Sequence, residues 1–127
     1  MRITLLLSLS SCLGEEVTPA MLTAEVPRVL EAMGPELASK VANIPVELVF
    51  MAEQDGLWQP ETRIIRISSV IGAEGLSLIL LHEYGHALGL VHSPDPHNIM
   101  HPNLRYLQID LAEAVTQIKR SMHLTSH

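Results

Sequence analysis

Residues 82–92 read His82-Glu83-Tyr84-Gly85-His86-Ala87-Leu88-Gly89-Leu90-Val91-His92, and the spacing of their ionisable members can do chemistry. On a helix His82 and His86 stand one turn apart, about 40° out of register, so both rings can reach one metal ion. Glu83 lies beside them, placed to touch a metal-bound water rather than the metal. His92 cannot join from the same helix: ten residues past His82 it would lie about 15 Å along the axis and roughly 80° off that face. The helix must therefore stop and the chain fold back, and Gly89 stands where a left-handed C-terminal residue would do that. Three imidazoles with an open fourth position describe a catalytic zinc site rather than a structural one. The expected metal ligands are His82, His86 and His92, the catalytic residue Glu83, and the cofactor a single Zn²⁺.

These residues need elements to carry them. The run Leu76-Ser77-Leu78-Ile79-Leu80-Leu81 before His82 is apolar nearly all round, which predicts a helix buried on most sides with only its His82/Glu83/His86 face open to a cleft. Upstream, Thr18 as N-cap and Pro19 at the first helical position open a helix. Val26, Leu30, Met33, Leu37, Val41 and Ile44 form its apolar stripe, and Gly34-Pro35 should kink or split it. Residues 44–51 read as a strand, Ala52-Glu53-Gln54-Asp55-Gly56 as a turn, and Thr62-Arg63-Ile64-Ile65-Arg66-Ile67-Ser68 as a second strand. Trp58 is expected to cover the core edge at the hairpin. After His92 a Pro/Asn-rich loop leads to a last helix from about Ile109 to Met122, with Leu111, Val115, Ile118 and Met122 inward.

Composition narrows the function classes. The 127 residues carry 47% apolar and only 3% aromatic side chains, so a single domain with an aliphatic core is expected. A net charge of −6 with no Lys/Arg cluster argues against nucleic acid as the main partner. No apolar run approaches the ~18 residues of a transmembrane helix. The lone Cys12 allows neither an intrachain disulfide nor a cysteine zinc site. Residues 1–14 have two readings. Arg2, the apolar run to Leu9 and the box Leu9-Ser10-Ser11-Cys12 suit a short signal of an exported or lipid-anchored protein; the alternation of Ile3, Leu5, Leu7 and Leu9 with Thr4, Ser8 and Ser10 suits a first strand, with a cytoplasmic location as the alternative.

The pattern His82-Glu83-x-x-His86-x-x-Gly89-x-x-His92, followed by Ser93, resembles the zinc signature of the metzincin metallopeptidases, and within them the matrixins. Met100, eight residues after His92 with Pro96 between, stands where that family places its Met-turn, and Pro102 where it places a proline on the specificity-pocket wall. Leu104 stands where matrixins usually have Tyr. Ile99-Met100-His101 is also similar to the astacin Met-turn, but Pro102 replaces that branch's metal-switching Tyr. The resemblance is close over residues 79–104. It implies an α+β, metzincin-like zincin fold, with residues 15–127 as a minimal metallopeptidase domain. Its parts would be a small twisted sheet with a backing helix, an active-site helix, a Met-turn with Met100 as an apolar floor, and a C-terminal helix. No histidine precedes His82 and no Asp/Gly-rich loop is present, so no structural zinc or calcium is expected, and Cys12 is not set in the matrixin propeptide motif.

The implied activity is zinc-dependent endopeptidase action on a protein or peptide substrate, through a zinc-bound water activated by Glu83, by a chain taken as monomeric. The alternative is a zinc-holding peptide-binding module derived from a peptidase. A carboxylate next to the first ligand has no use in a purely structural site, which favours the enzyme. An extended substrate is expected to pair with the edge of the strand formed by Arg63, Ile64, Ile65, Arg66, Ile67 and Ser68.

Overall fold

The computed structural model describes residues 16–105 and 107–125, so both readings of residues 1–14 lie outside the described residues. Helix α1 (Pro19–Met33) starts as the sequence dictates: the Thr18 hydroxyl accepts a hydrogen bond from the Met21 N–H at 3.1 Å, and Pro19 occupies the first turn. Pro27 sits within α1 on an exposed side, where the carbonyl it leaves unpaired can meet water. At Gly34 the backbone swings to φ 87°, and Pro35 restarts the chain as α2 (Pro35–Val41). Leu22, Val29, Met33, Leu37, Val41 and Ile44 are the buried residues of this stretch, whereas Val26 and Leu30 are only half-buried. The face is thus rotated from the expected stripe, because α1 packs on the later helices with Val29 fully buried.

Three short strands form one mixed sheet. Strand β1 (Val46–Val49) runs parallel to β3 (Ile64–Ser68), and β2 (Gly56–Gln59) runs antiparallel to β3 on its other side, giving the order β1-β3-β2. The Asp55-Gly56 pair is therefore not the tight turn its sequence suggests: residues 50–55 cross over the end of β3, and Gly56 opens a strand. The tight turn comes at residues 60–63, where the Arg63 N–H donates to the Gln59 carbonyl at 2.8 Å and Arg63 takes φ 55°.

This topology corrects the expected substrate edge. Strand β3 is central, with β1 and β2 on its two sides, so its main chain has no free edge for a peptide. Ile65, Ile67 and Ser68 are fully buried and Ile64 is half-buried. Arg66 is held by Gln59 Oε1 and by Glu47 at 3.4 Å, and Arg63 lies over the Trp58 ring at 5.6 Å. The edges of the sheet are β1 and β2.

A 3₁₀ turn (Ala73–Gly75) leads into α3 (Leu76–Ala87), which is buried along Leu76 and from Ile79 to Gly85. The last helix, α4 (Leu111–Thr125), begins under Asp110, whose carboxylate accepts from the Glu113 N–H at 2.8 Å, and buries Ala114, Val115 and Ile118. Helix α3 touches α1, α4, β2 and β3, so it is the central rod of a core that joins sheet and helices. No helix among the described residues is long and apolar enough to cross a membrane.

Among the described residues Ser68 is the buried polar side chain away from the histidine cluster. Its hydroxyl donates to the Met51 carbonyl at 2.6 Å and accepts from the Val70 N–H at 3.3 Å, tying the chain leaving β1 to the end of β3. Ser68→Ala is expected to destabilise the domain by about 1–3 kcal/mol, the usual range when a buried group loses its partner, read as a lower urea midpoint at unchanged slope.

Candidate metal centre

Helix α3 presents His82 and His86 one turn apart, with ring centroids 4.7 Å from each other. It then ends in a hydrogen-bonded reversal. The Gly89 N–H donates to the His86 carbonyl and the Leu90 N–H to the Gly85 carbonyl, each at 2.9 Å, with Gly89 at φ 100°. This is the Schellman pattern, and its left-handed residue is one that an L side chain adopts only under strain. A Cβ at Gly89 would meet nothing within 4 Å, so conformation alone calls for glycine there. The reversal carries His92 back to within 5.5 Å of the His82 ring and 4.8 Å of the His86 ring.

The ring nitrogens are set for a cation. Among the described residues His82, His86 and His92 form a cluster whose ligand atoms lie within 4.8 Å of one another. His82 Nδ1 is 2.7 Å from the Ile99 carbonyl and His86 Nδ1 2.9 Å from the Leu90 carbonyl. A carbonyl only accepts, so the proton of each neutral ring sits on Nδ1 and leaves an Nε2 lone pair for a metal. Burial lowers the His82 pKa to about 4, and lowers that of His86 as well, so both rings are neutral at pH 7. A buried and a half-buried neutral imidazole beside an exposed third are a donor set suited to zinc.

Glu83 is buried on the next position of α3, and loss of solvent raises its pKa to about 7, opposed by a hydrogen bond from the Trp58 main chain. The cleft over the cluster is lined by β2, by Glu53 and Asp55 before it, by His82, Glu83, His86 and His92, and by Pro102, Leu104 and Arg105 beyond. None of the six residues expected to hold substrate, Arg63 and the five of β3, lines it.

Beneath the histidines, residues 93–101 form a turn knitted by its own polar groups. The Ser93 N–H donates to the Met100 carbonyl at 2.9 Å, and the Asn98 side chain accepts from the Met100 N–H at 2.8 Å. Met100 is buried against α3 at Gly85, where a Cβ would stand 2.5 Å from its sulfur. A glycine costs a helix interior about 0.5–1 kcal/mol relative to Ala; here it is what lets the turn approach the helix. Pro102 and Leu104 extend the turn into the cleft wall.

Sequence reasoning placed the three histidines, Glu83, Met100 and Pro102 in one locality but missed their supports. Gln117 on α4 accepts from the Ile99 N–H at 2.7 Å and donates to the His97 carbonyl at 3.0 Å. The Ile99 peptide is therefore gripped at its N–H by α4, while the carbonyl of Ile99 receives His82. Nothing in the local sequence around a helical glutamine announces this, although Ile99, apolar within a polar loop, hints that the loop is anchored.

Two outcomes follow from these contacts. Gln117→Leu leaves the Ile99 N–H unpaired and frees the carbonyl that orients His82; zinc affinity measured by calorimetric titration should fall roughly 10–100-fold, the range for losing a supporting hydrogen bond. Gly85→Ala drives a methyl into Met100, and thermal unfolding should show a loss of about 1–3 kcal/mol from overpacking.

Comparison with known proteins agrees with this geometry. The Matrixin family model matches residues 43–118, from just before β1 to well into α4. Matrix metalloproteinase-20 of Homo sapiens is 47% identical over 38 residues, which cover 28% of this chain and 8% of that protein. Macrophage metalloelastase of Rattus norvegicus is 56% identical over 32 residues, 25% of this chain and 7% of that protein. The matched stretches thus span less than a tenth of either relative. No solved structure matches the chain significantly. The family match takes in more than half of the chain, including the sheet, the histidine-bearing helix, the reversal and the turn beneath it, and on that ground the chain belongs to the matrixin family.

Proposed function

We propose that this domain is a zinc-dependent endopeptidase, with His82, His86 and His92 as ligands of one ion and Glu83 as the catalytic acid–base. The observation that carries the reading is the joint placement of three imidazoles, two of them with Nδ1 tied to carbonyls, and one buried carboxylate at the floor of an open cleft. When bound, the zinc ion supplies Lewis acidity, which acidifies a water and polarises a scissile carbonyl. The chain supplies the rest. His82 and His86 are held in one tautomer and orientation by the Ile99 and Leu90 carbonyls, so their donor atoms need little reorganisation. A carboxylate oxygen of Glu83 takes the proton of the attacking water and hands it to the leaving amine, after which Glu83 is again ionised. Met100 forms an apolar floor, and Pro102 and Leu104 one wall of the cleft.

The substrate is proposed to lie along β2. The Ser68 N–H donates to the Asp55 carbonyl, and antiparallel alternation then turns the N–H and C=O groups of Gly56 and the C=O of Trp58 away from β3, the Trp58 N–H being taken by Glu83. An extended peptide can add to that edge through main-chain hydrogen bonds, with little demand on its side chains.

The test pairs metal content with turnover on a diverse peptide library. Glu83→Ala should keep one zinc per chain and lose hydrolysis by about 10²–10⁴-fold, the usual worth of a positioned acid–base. Equal and negligible turnover in wild type and variant, with zinc bound in both, would instead identify a peptide-binding module. His92→Ala should weaken zinc binding by more than the roughly 10–100-fold typical of a lost supporting contact; unchanged affinity would remove His92 from the ligand set.

A further inference from the structure

Gly56 lies at the start of β2 with an unremarkable backbone: the positive-φ glycines among the described residues are Gly34 and Gly89. Conformation therefore gives no reason for glycine at this position, and a strand interior ordinarily disfavours it. Space does. A Cβ at residue 56 would stand 2.9 Å from Glu83 Oε2, 3.0 Å from Glu83 Cγ and 3.1 Å from Ile79 Cγ2. Real Cβ atoms essentially never come within 3.0 Å of such a neighbour, and here the neighbours belong to a buried carboxylate and a buried isoleucine of α3. Two residues along β2, the Trp58 main chain donates a hydrogen bond to that same Glu83 side chain.

We infer that Gly56 and the Trp58 N–H together form a main-chain seat for the Glu83 carboxylate, with Gly56 as a positioning residue whose missing side chain lets β2 close onto the base. The strand that offers an edge to substrate would then also fix the group that moves the proton. A methyl at position 56 would push either β2 or the carboxylate away, and lengthening the Trp58 hydrogen bond would follow from both. The catalytic consequence rests on the proposed role of Glu83; the seat itself does not, and the two are tested separately.

The experiment uses the full chain as Gly56→Ala, Glu83→Ala and the double variant. Amide hydrogen exchange reads the seat directly: the Trp58 N–H should exchange about tenfold or more faster in both single variants, as expected when a hydrogen bond to a charged group is lost, while the Leu57 N–H, which faces β3, keeps its protection. In urea unfolding the midpoint shift caused by Gly56→Ala should shrink markedly when Glu83 is already Ala, the signature of direct contact in a double-mutant cycle. Should Gly56→Ala alone fail to fold, the double variant is expected to recover a cooperative transition. With zinc content equal, Gly56→Ala should lower kcat about tenfold or more and leave KM near its wild-type value, because a displaced base weakens only the chemical step. Unchanged Trp58 exchange in Gly56→Ala, strictly additive midpoint shifts, or a double variant as unfolded as the single one would each overturn the seat. A wild-type chain without hydrolysis, in which Trp58 exchange and the cycle nevertheless respond as expected, would reject the peptidase reading and keep the seat.

Discussion

Two imidazoles can be brought to one point by a single helix, but a third ten residues on cannot, and the arrangement of this domain follows from that constraint. Helix α3 must end immediately after His86, and it does so through the Gly89 reversal, whose two closing hydrogen bonds satisfy carbonyls of the final turn. The returning segment is then close enough for the Leu90 carbonyl to orient His86 and for His92 to complete the cluster. Ser93 continues the same run of contacts by pairing with Met100, so helix end, third histidine and underlying turn form one connected unit.

That unit brings buried polar groups into an otherwise aliphatic interior, and each has a partner. His82 gives its Nδ1 proton to Ile99, the Ile99 N–H goes to Gln117, and Glu83 receives the Trp58 main chain. Burial alone would cost several kcal/mol for a charge, and the site answers by keeping His82 and His86 neutral and by raising the Glu83 pKa toward 7. The supports come from three elements: the turn and α4 from below, β2 from the side. Helix α3 is consequently held by elements distant in sequence, and Gly85 and Gly56 are positions where an added side chain would collide at its contacts with them.

The sheet is small, yet its strand order matters more to function than its size. Because β3 inserts between β1 and β2, the charged and β-branched residues that look like an accessible edge in the sequence become the middle of the sheet, and the short Gly-Leu-Trp-Gln segment takes the position beside the cleft. Arg66 illustrates the cost of reading such a strand locally. Its charge suggests solvent or substrate, whereas on the outer face of β3 it is occupied by Glu47 and Gln59 from the two flanking strands.

The sequence by itself determined the local features whose physics is short-range. Thr18-Pro19 started a helix, Gly34-Pro35 broke it, the all-round apolar run buried α3, and the spacing from His82 to His92 demanded a reversal that Gly89 permits. Periodicity and capping act within a turn or two of chain, so they can be read one residue at a time. Only the tertiary structure decided which strand lies at the edge, that Gln117 grips the Ile99 peptide, that Gly85 makes room for Met100, and that Gly56 makes room for Glu83. Those choices depend on residues from about 15 to 27 positions apart meeting in space, and on glycines whose role is the atom they lack. A glycine beside Asp reads as a turn because the chain's local preferences are all that a sequence exposes; that it is a seat for a carboxylate follows from a helix arriving 27 residues later.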